Sequence, residues 1–371
     1  MVPSKLTDLH VANYLEIPPP EMLWREIPIT ERANQTVTEG RDAIRRILDE
    51  EDYRKIVVVG PCSMSPNIQK ELEVALMFRE LAEEVSDEII LVYRTYLEKP
   101  RTRKGWPGLI REPRLDGLPR RAEGLRLARQ FLIDVLELGL PTAMEFVNTR
   151  TPQSLDGLIV YGCIGARYVE SGDHRALASG LTMPVGIKNG TSGDVESAID
   201  GVVVAHQPDV FGGGITPKGL ECEVETRGNP YVHTVLRGGT NGKTNYDADS
   251  IKKAQDLLIK NRLKPWVLVD CSHGNSKKNY QLQPGNCRNV LKQMVGGGNN
   301  YIAGVMMEAN HIEGTQEVPS LAADRATFDK SILVPGKSIT DSCISFETAR
   351  ELLLEMKKEL KAYRQQCYER K

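Results

Sequence analysis

Residues 98–106 read Glu-Lys-Pro-Arg-Thr-Arg-Lys-Gly-Trp, and Arg94 lies just upstream on an apolar run. Glu98, Lys99, Arg101, Arg103 and Lys104 crowd charge into a few positions, while Pro100 and Gly105 forbid a smooth helix. The run before them (Ile89, Ile90, Leu91, Val92, Tyr93) is strand-like. A strand end that presents guanidinium, ammonium and hydroxyl groups in fixed geometry suits phosphate. The bland alternative is a solvated charge cluster, the usual fate of such runs.

Chemical groups recur at other apolar runs. Gly60-Pro61-Cys62-Ser63 ends one, Glu145 another, Arg167 and Glu170 a third, and Lys188-Asn189-Gly190 a fourth. Arg237-Gly238-Gly239, Cys271-Ser272-His273 and Glu308 complete the series. Each alone has an ordinary explanation, since cysteines beside strands usually pack and buried cations are usually paired. Their repetition is what packing does not explain. Arg94, Lys99, Arg101, Arg167, Lys188 and Arg237 carry more positive charge than one phosphate needs. Two anionic substrates, or one with several charges, would neutralise it. Separately, Cys62, His273, Glu308 and a late acid, best Asp341, offer a thiolate, an imidazole and two carboxylates. That mixed donor set suits Mn, Fe, Co or Zn better than Mg or Ca. The spacing is not a local metal motif.

Positioning these groups requires a scaffold that gathers many strand ends. Candidate strands are Ile56–Val59, Ile89–Leu97, Thr142–Val147, Ala166–Glu170, Pro184–Lys188, Val210–Gly213, Trp266–Asp270 and Ile302–Met307. Between most lie amphipathic segments such as Gln69–Glu84, Gly124–Leu138 and Asp194–Ala205. Strands that are continuously apolar and separated by helices predict a parallel sheet buried on both faces. Doubly wound sheets share this pattern, but eight strands favour a (β/α)8 TIM barrel, whose C-terminal strand ends form the active face. Glu221–Glu225 and Tyr231–Leu236 alternate around Arg227-Gly228-Asn229-Pro230, which reads as a β-hairpin inserted after strand 6. The expected organisation is an N-terminal arm and helix over 1–50, fitted for an oligomer or regulatory contact, then the catalytic barrel over 51–371 with its hairpin near 220–237. A closing helix runs from about Phe346 to Tyr363.

Lys+Arg 48 against Asp+Glu 50 leaves no global attraction to nucleic acid. No window approaches a membrane span, and residues 1–14 lack a signal-peptide core. Cysteines 62, 163, 222, 271, 287, 343 and 367 show no CxxC spacing. A reducing, cytoplasmic setting is therefore expected rather than a disulfide framework.

The sequence resembles the type I 3-deoxy-D-arabino-heptulosonate 7-phosphate (DAHP) synthases over nearly its whole length. The resemblance is carried by Gly60-Pro61-Cys62-Ser63, Lys99-Pro100-Arg101-Thr102, Gly165-Ala166-Arg167, Pro184 to Thr191, Leu236-Arg237-Gly238-Gly239, Ser272 to Ser276 and Ser338-Ile339-Thr340-Asp341. It implies condensation of phosphoenolpyruvate with erythrose 4-phosphate, the first step of the shikimate pathway. It further implies one divalent metal on Cys62, His273, Glu308 and Asp341. Phosphoenolpyruvate would be held by Arg94, Lys99, Arg167, Lys188 and Arg237 with the Ala166 backbone, and the aldose phosphate by Lys99, Pro100, Arg101 and Thr102. Lys99 is the expected proton donor, and Glu98 or Glu145 the group that orients water. An aromatic amino acid effector would sit against Leu177, Leu181, Thr182, Phe211 and Gly213. A homodimer or homotetramer is implied as well.

Three segments depart from the family pattern: Met64-Ser65-Pro66 replaces Ile-His-Asp, and Gly212–Glu223 and Thr315–Pro335 are altered or enlarged. Two other readings share these residues. One is a paralogue using phosphoenolpyruvate with a different aldose phosphate, and the other is a non-catalytic regulatory homologue.

Overall fold

The computed structural model describes residues 7–240 and 242–369. Residues 1–6 of the expected arm and 370–371 of the expected barrel unit lie outside the described residues. Eight strands form the centre: Lys55–Gly60, Ile89–Arg94, Thr142–Glu145, Tyr161–Ile164, Val185–Lys188, Val232–Leu236, Val267–Asp270 and Ile302–Asn310. Each pairs in parallel with the next, and the last pairs with the first, so the sheet closes into a (β/α)8 barrel. Closure explains the continuous apolar runs. Every residue of the first strand is buried, because one face meets the barrel interior and the other the helices outside.

The helices follow from periodicity and caps. Ile68–Val85 starts where the Asn67 side chain accepts from the Lys70 amide at 3.2 Å, and buries Val74, Phe78, Leu81 and Val85 along one face. The last helix, Phe346–Glu369, extends beyond the expected end at Tyr363. Before the barrel, Pro20–Glu26 and Glu31–Leu48 are helical. The second packs on the helix Arg121–Glu137, where Thr36 Oγ1 donates to the Leu136 carbonyl at 2.9 Å.

Register sets the level of the chemical groups. Gly60 stands opposite Glu308, Val59 opposite Tyr93, and Met306 opposite Asp270. Cys62, Arg94, Asp270 and Glu308 therefore reach the same end of the barrel.

Two expectations require correction. The sixth barrel strand is Val232–Leu236, not Val210–Gly213. Val210–Ile215 instead pairs antiparallel with Glu221–Glu225 in a separate hairpin before the sixth strand, rather than after it. His233 and Thr234 gave the later run an alternating look, yet both are buried, and His233 Nε2 lies 2.8 Å from the Tyr161 hydroxyl. Polar residues buried inside the barrel mimic the pattern of a half-exposed strand. The fourth strand is Tyr161–Ile164, not Ala166–Glu170. Gly162 and Gly165 interrupt the apolar run and weaken its strand signal.

The departure after Cys62 is accommodated by a buried acid. Met64 is fully buried, and the Ser65 amide donates to Glu71 Oε1 at 3.0 Å. Burial pushes the Glu71 carboxyl up to about 7 from 4.5, against the pull of the Ser65 hydrogen bonds. The folded chain thus keeps a proton that the unfolded chain has released. This contribution is whole below about pH 4.5 and is lost as pH rises through about 7. Relative to Glu71→Gln, the wild type should lose about 3 kcal/mol of stability between roughly pH 4.5 and pH 8. Denaturant titrations across that range check it, and parallel curves for the two proteins would contradict it.

Candidate active site

The metal-ligating candidates converge. The ligand atoms of Cys62, Glu308 and Asp341 all lie within 4.8 Å of one another. His273 Nε2 is 3.4 Å from Glu308 Oε1, which brings the imidazole to the same cluster. Cys62 comes from the turn after the first strand, Glu308 from the eighth, His273 from the loop after the seventh, and Asp341 from the segment before the last helix. Four distant segments meet only because the barrel closes.

The local electrostatics of this cluster call for positive charge. Burial, then Glu308 and Asp341, push the Cys62 thiol up to about 12, against the pull of Lys99. Lys99 Nζ stands among the donors, 2.6 Å from Cys62 Sγ and 3.5 Å from Asp341 Oδ2. Burial would lower its pKa, but Cys62, Asp341 and Glu308 outweigh that and raise it. Lys99 is also the main reason the Asp341 carboxyl is held well below the usual range. A thiol, an imidazole and two carboxylates gathered this way fit one divalent ion with mixed soft and hard ligation.

Behind the donors runs a buried chain of alternating basic and acidic side chains. Arg94 Nη2 donates to Glu308 Oε1 at 3.0 Å, and His273 Nδ1 lies 2.9 Å from Asp270 Oδ2. Asp270 Oδ2 in turn lies 3.3 Å from Lys188 Nζ, which is 3.5 Å from Glu145 Oε2. Gln283 brackets the Glu308 backbone, accepting from its amide at 2.9 Å and donating to its carbonyl at 3.2 Å. His273 adopts φ 49°, a left-handed conformation that is uncommon outside glycine. Ser272 Oγ, 2.8 Å from His273 Nδ1 and 2.6 Å from Asp270 Oδ1, helps fix the ring. Arg94 Nη1 and Lys188 Nζ are buried without a hydrogen-bond acceptor. Desolvated cationic N–H groups with unmet demand favour an incoming anion.

Beside the donors opens a cavity of about 290 Å³. Lys99, Arg101, Arg103, Lys104, Arg167, Lys188, Arg237 and Lys278 line it with His273, against only Glu145 and Asp341 as acids. Pro100, Thr102 and Ala166 line it too. Arg167 Nε donates to Thr102 Oγ1 at 2.7 Å, tying the turn after the fourth strand to the Lys-Pro-Arg-Thr segment. Gly165 is required by a close approach, since a Cβ there would come within 2.2 Å of Glu145 Oε1. Opposite charges within reach hold Glu145 ionised, with Lys188 the strongest of them overcoming the cost of burial.

Most expected site residues therefore line this cavity or belong to the donor cluster beside it, while Arg94, fully buried against Glu308, stands behind the cavity without lining it. Glu98 does neither. Its carboxylate accepts from Arg121 at 2.8 Å and from Thr151 Oγ1 at 2.9 Å, and it does not line the cavity. Glu98 is committed to these two partners, whereas Glu145, the other acid expected to orient water, lines the cavity. Tyr96, Asp270, Gln283 and Lys278 were not singled out in the sequence. Asp270 carried the clearest signal, as an acid ending the apolar run Val267-Leu268-Val269.

A second cavity, about 320 Å³, lies outside the barrel. Leu177, Leu181, Thr182 and Phe211 line it, together with Trp24, Gln153, Asp156 and Thr226. Gly213, the fifth expected member, does not. A side chain there would meet the Phe211 ring at 2.9 Å and Thr149 Oγ1 at 3.1 Å, so the position faces the hairpin's own packing. No helix among the described residues is long and apolar enough to cross a membrane.

Comparison with known proteins gives the same direction. The profile described as the DAHP synthetase I family matches residues 26–354. The Phe-sensitive phospho-2-dehydro-3-deoxyheptonate aldolase of Escherichia coli K12 is 42% identical over 96% of this chain and 98% of its own length. The tyrosine-inhibited enzyme of Schizosaccharomyces pombe is 40% identical over 97% of this chain and 94% of its own. A solved structure of the aldolase of that name from Francisella tularensis SCHU S4 superposes with a TM-score of 0.89 at 36% identity, covering 95% of this chain and 99% of that one.

Lys188 stands between two buried carboxylates, and removing one partner of such a set leaves uncompensated charge. Lys188→Met should cost about 3 kcal/mol or more in chemical denaturation near neutral pH. An unchanged midpoint would mean that the buried chain does not depend on this ammonium.

Proposed function

This chain belongs to the DAHP synthetase I family, and from that premise we propose that it condenses phosphoenolpyruvate with erythrose 4-phosphate, releasing DAHP and phosphate. The observation that carries the reading is the two-part site: a cation-lined cavity for two anions, opening beside a thiol, imidazole and carboxylate donor set. A regulatory homologue without chemistry would have no need to keep both.

Cys62, His273, Glu308 and Asp341 would hold the divalent ion, one of Mn, Fe, Co or Zn, with Asp270 fixing the imidazole. When bound, the ion supplies Lewis acidity toward the aldehyde oxygen. Arg94, Arg167, Lys188 and Arg237 take the phosphate and carboxylate of phosphoenolpyruvate. Lys99, Pro100, Arg101 and Thr102 take the sugar phosphate. These cations offset the mutual repulsion of the two anions and hold C3 of phosphoenolpyruvate against the aldehyde carbon. Carbon–carbon bond formation turns the aldehyde oxygen into a hydroxyl, and Lys99 Nζ gives that proton. Water then adds at C2 of the former enol phosphate, with Glu145 as the ionised acceptor for its proton. The C2–O bond to phosphate breaks as the ketone forms, so one water is consumed and one phosphate released.

The exposed apolar arm (Leu9, Val11, Tyr14, Leu15, Ile17) supports a subunit contact and hence a homodimer or homotetramer. The outer cavity supports an aromatic amino acid effector. Its walls combine Trp24, Leu177 and Phe211 with the polar Gln153, Asp156 and Thr226, which suits a ring at one end and a zwitterion at the other. Relatives named Phe-sensitive and tyrosine-inhibited support the same reading.

Phosphate release from the two substrates tests the function. Turnover should require a divalent ion, fall by more than about a hundredfold in Cys62→Ala, and be fastest with erythrose 4-phosphate among aldose phosphates. No phosphate release in any metal, or a faster rate with another aldose phosphate, would sink the assignment. For the effector, at least one of Phe, Tyr and Trp should inhibit the wild type. Thr182→Trp, which fills the outer cavity from an exposed position, should abolish inhibition and spare turnover. Three flat titrations would remove the proposal.

A further inference from the structure

The segment Thr315–Pro335 extends from the eighth strand toward Asp341 without contributing an expected site residue. It holds a short helix, Ala322–Ala326, whose Arg325 is only 3% exposed. Arg325 Nε and Nη2 donate to the two oxygens of Glu112 at 2.7 and 2.8 Å, and its Nη1 donates to the Pro319 and Ser320 carbonyls, both at 2.9 Å. Glu112, itself 4% exposed, lies in the stretch that follows the Lys-Pro-Arg-Thr turn. A buried forked pair of this kind is expensive to form and geometrically strict. An arginine that served only its own segment would not need to reach into another loop.

From Glu112 the connections lead to the cavity. The Glu112 carbonyl accepts from Trp106 Nε1 at 2.9 Å, and Trp106 is 1% exposed. The Trp106 carbonyl accepts from Arg101 Nε at 2.8 Å, and Arg101 lines the cavity. Glu112 Oε1 also accepts from the Gly117 amide at 2.9 Å. Gly117 has φ 77°, and a Cβ there would lie 2.0 Å from the Ala322 carbonyl oxygen, so the two segments touch backbone to backbone.

We propose that Arg325 is a positioning residue for the aldose phosphate, acting through Glu112 and Trp106 to hold Arg101 in its binding orientation. The late segment would then set the shape of the sugar-phosphate end of the site, while the phosphoenolpyruvate end is built mainly on strand termini and meets that turn through the Arg167–Thr102 hydrogen bond. This inference rests on the proposed function for its kinetic arm only.

The test uses full-length Arg325→Gln and Arg325→Lys. Arg325→Gln should raise KM for erythrose 4-phosphate roughly tenfold or more with KM for phosphoenolpyruvate unchanged. Arg325→Lys, which restores charge without the fork, should recover part of that loss. A purely structural role would instead lower turnover with both KM values unmoved, or raise both together, and either result overturns the proposal. Hydrogen exchange supplies a readout that needs no turnover. Peptides spanning 98–112 should exchange faster in both variants while the barrel strands stay protected, and unchanged exchange there overturns the proposal. A wild type that releases no phosphate would defeat the functional reading yet leave the exchange result to decide this one.

Discussion

The site depends on a buried chain of alternating basic and acidic side chains across the barrel mouth: Arg94, Glu308, His273, Asp270, Lys188 and Glu145, with neighbouring contacts from 2.9 to 3.5 Å. None of the four ionic side chains other than Glu145 and His273 is more than 2% exposed. Charges this deep are tolerable only when each is compensated. Their mutual pairing fixes each member in space. The arrangement also leaves Arg94 and Lys188 with unmet hydrogen-bonding capacity. Preorganisation and readiness for an anion thus arise from the same contacts.

Barrel closure makes that chain possible. Arg94 and Glu308 lie far apart in sequence, and the pairing of the first and last strands brings them into contact. The same closure collects Cys62, His273, Glu308 and Asp341 from four segments, with Lys99 reaching in from the second strand's turn. Loops then adjust each end of the cavity. Glu71 steadies the altered turn after Cys62, and Arg325 joins the late segment to the Lys-Pro-Arg-Thr stretch.

Much of this was legible in the sequence because the chemistry sits at strand ends and the strands are continuously apolar. The cationic set and the four metal-ligating candidates could be read from residue type and order, and the resemblance gave them roles. What escaped reading has physical causes. His233 and Thr234 are polar residues buried inside the barrel, so a buried strand reads as half exposed and the hairpin as one strand too late. Gly162 and Gly165 hid the fourth strand. Glu98 looked chemical beside Lys99, but its partners Arg121 and Thr151 come from elsewhere in the chain. Long-range pairing of that sort leaves no local trace.

The most direct test of the two-part site is a crystal structure with Mn²⁺ and phosphoenolpyruvate bound, using anomalous scattering to locate the metal. The account predicts one manganese peak bound by Cys62, His273, Glu308 and Asp341, with the phosphoenolpyruvate anion on Arg94, Arg167, Lys188 and Arg237. Manganese at another position, or phosphoenolpyruvate bound away from those four cations, would contradict it.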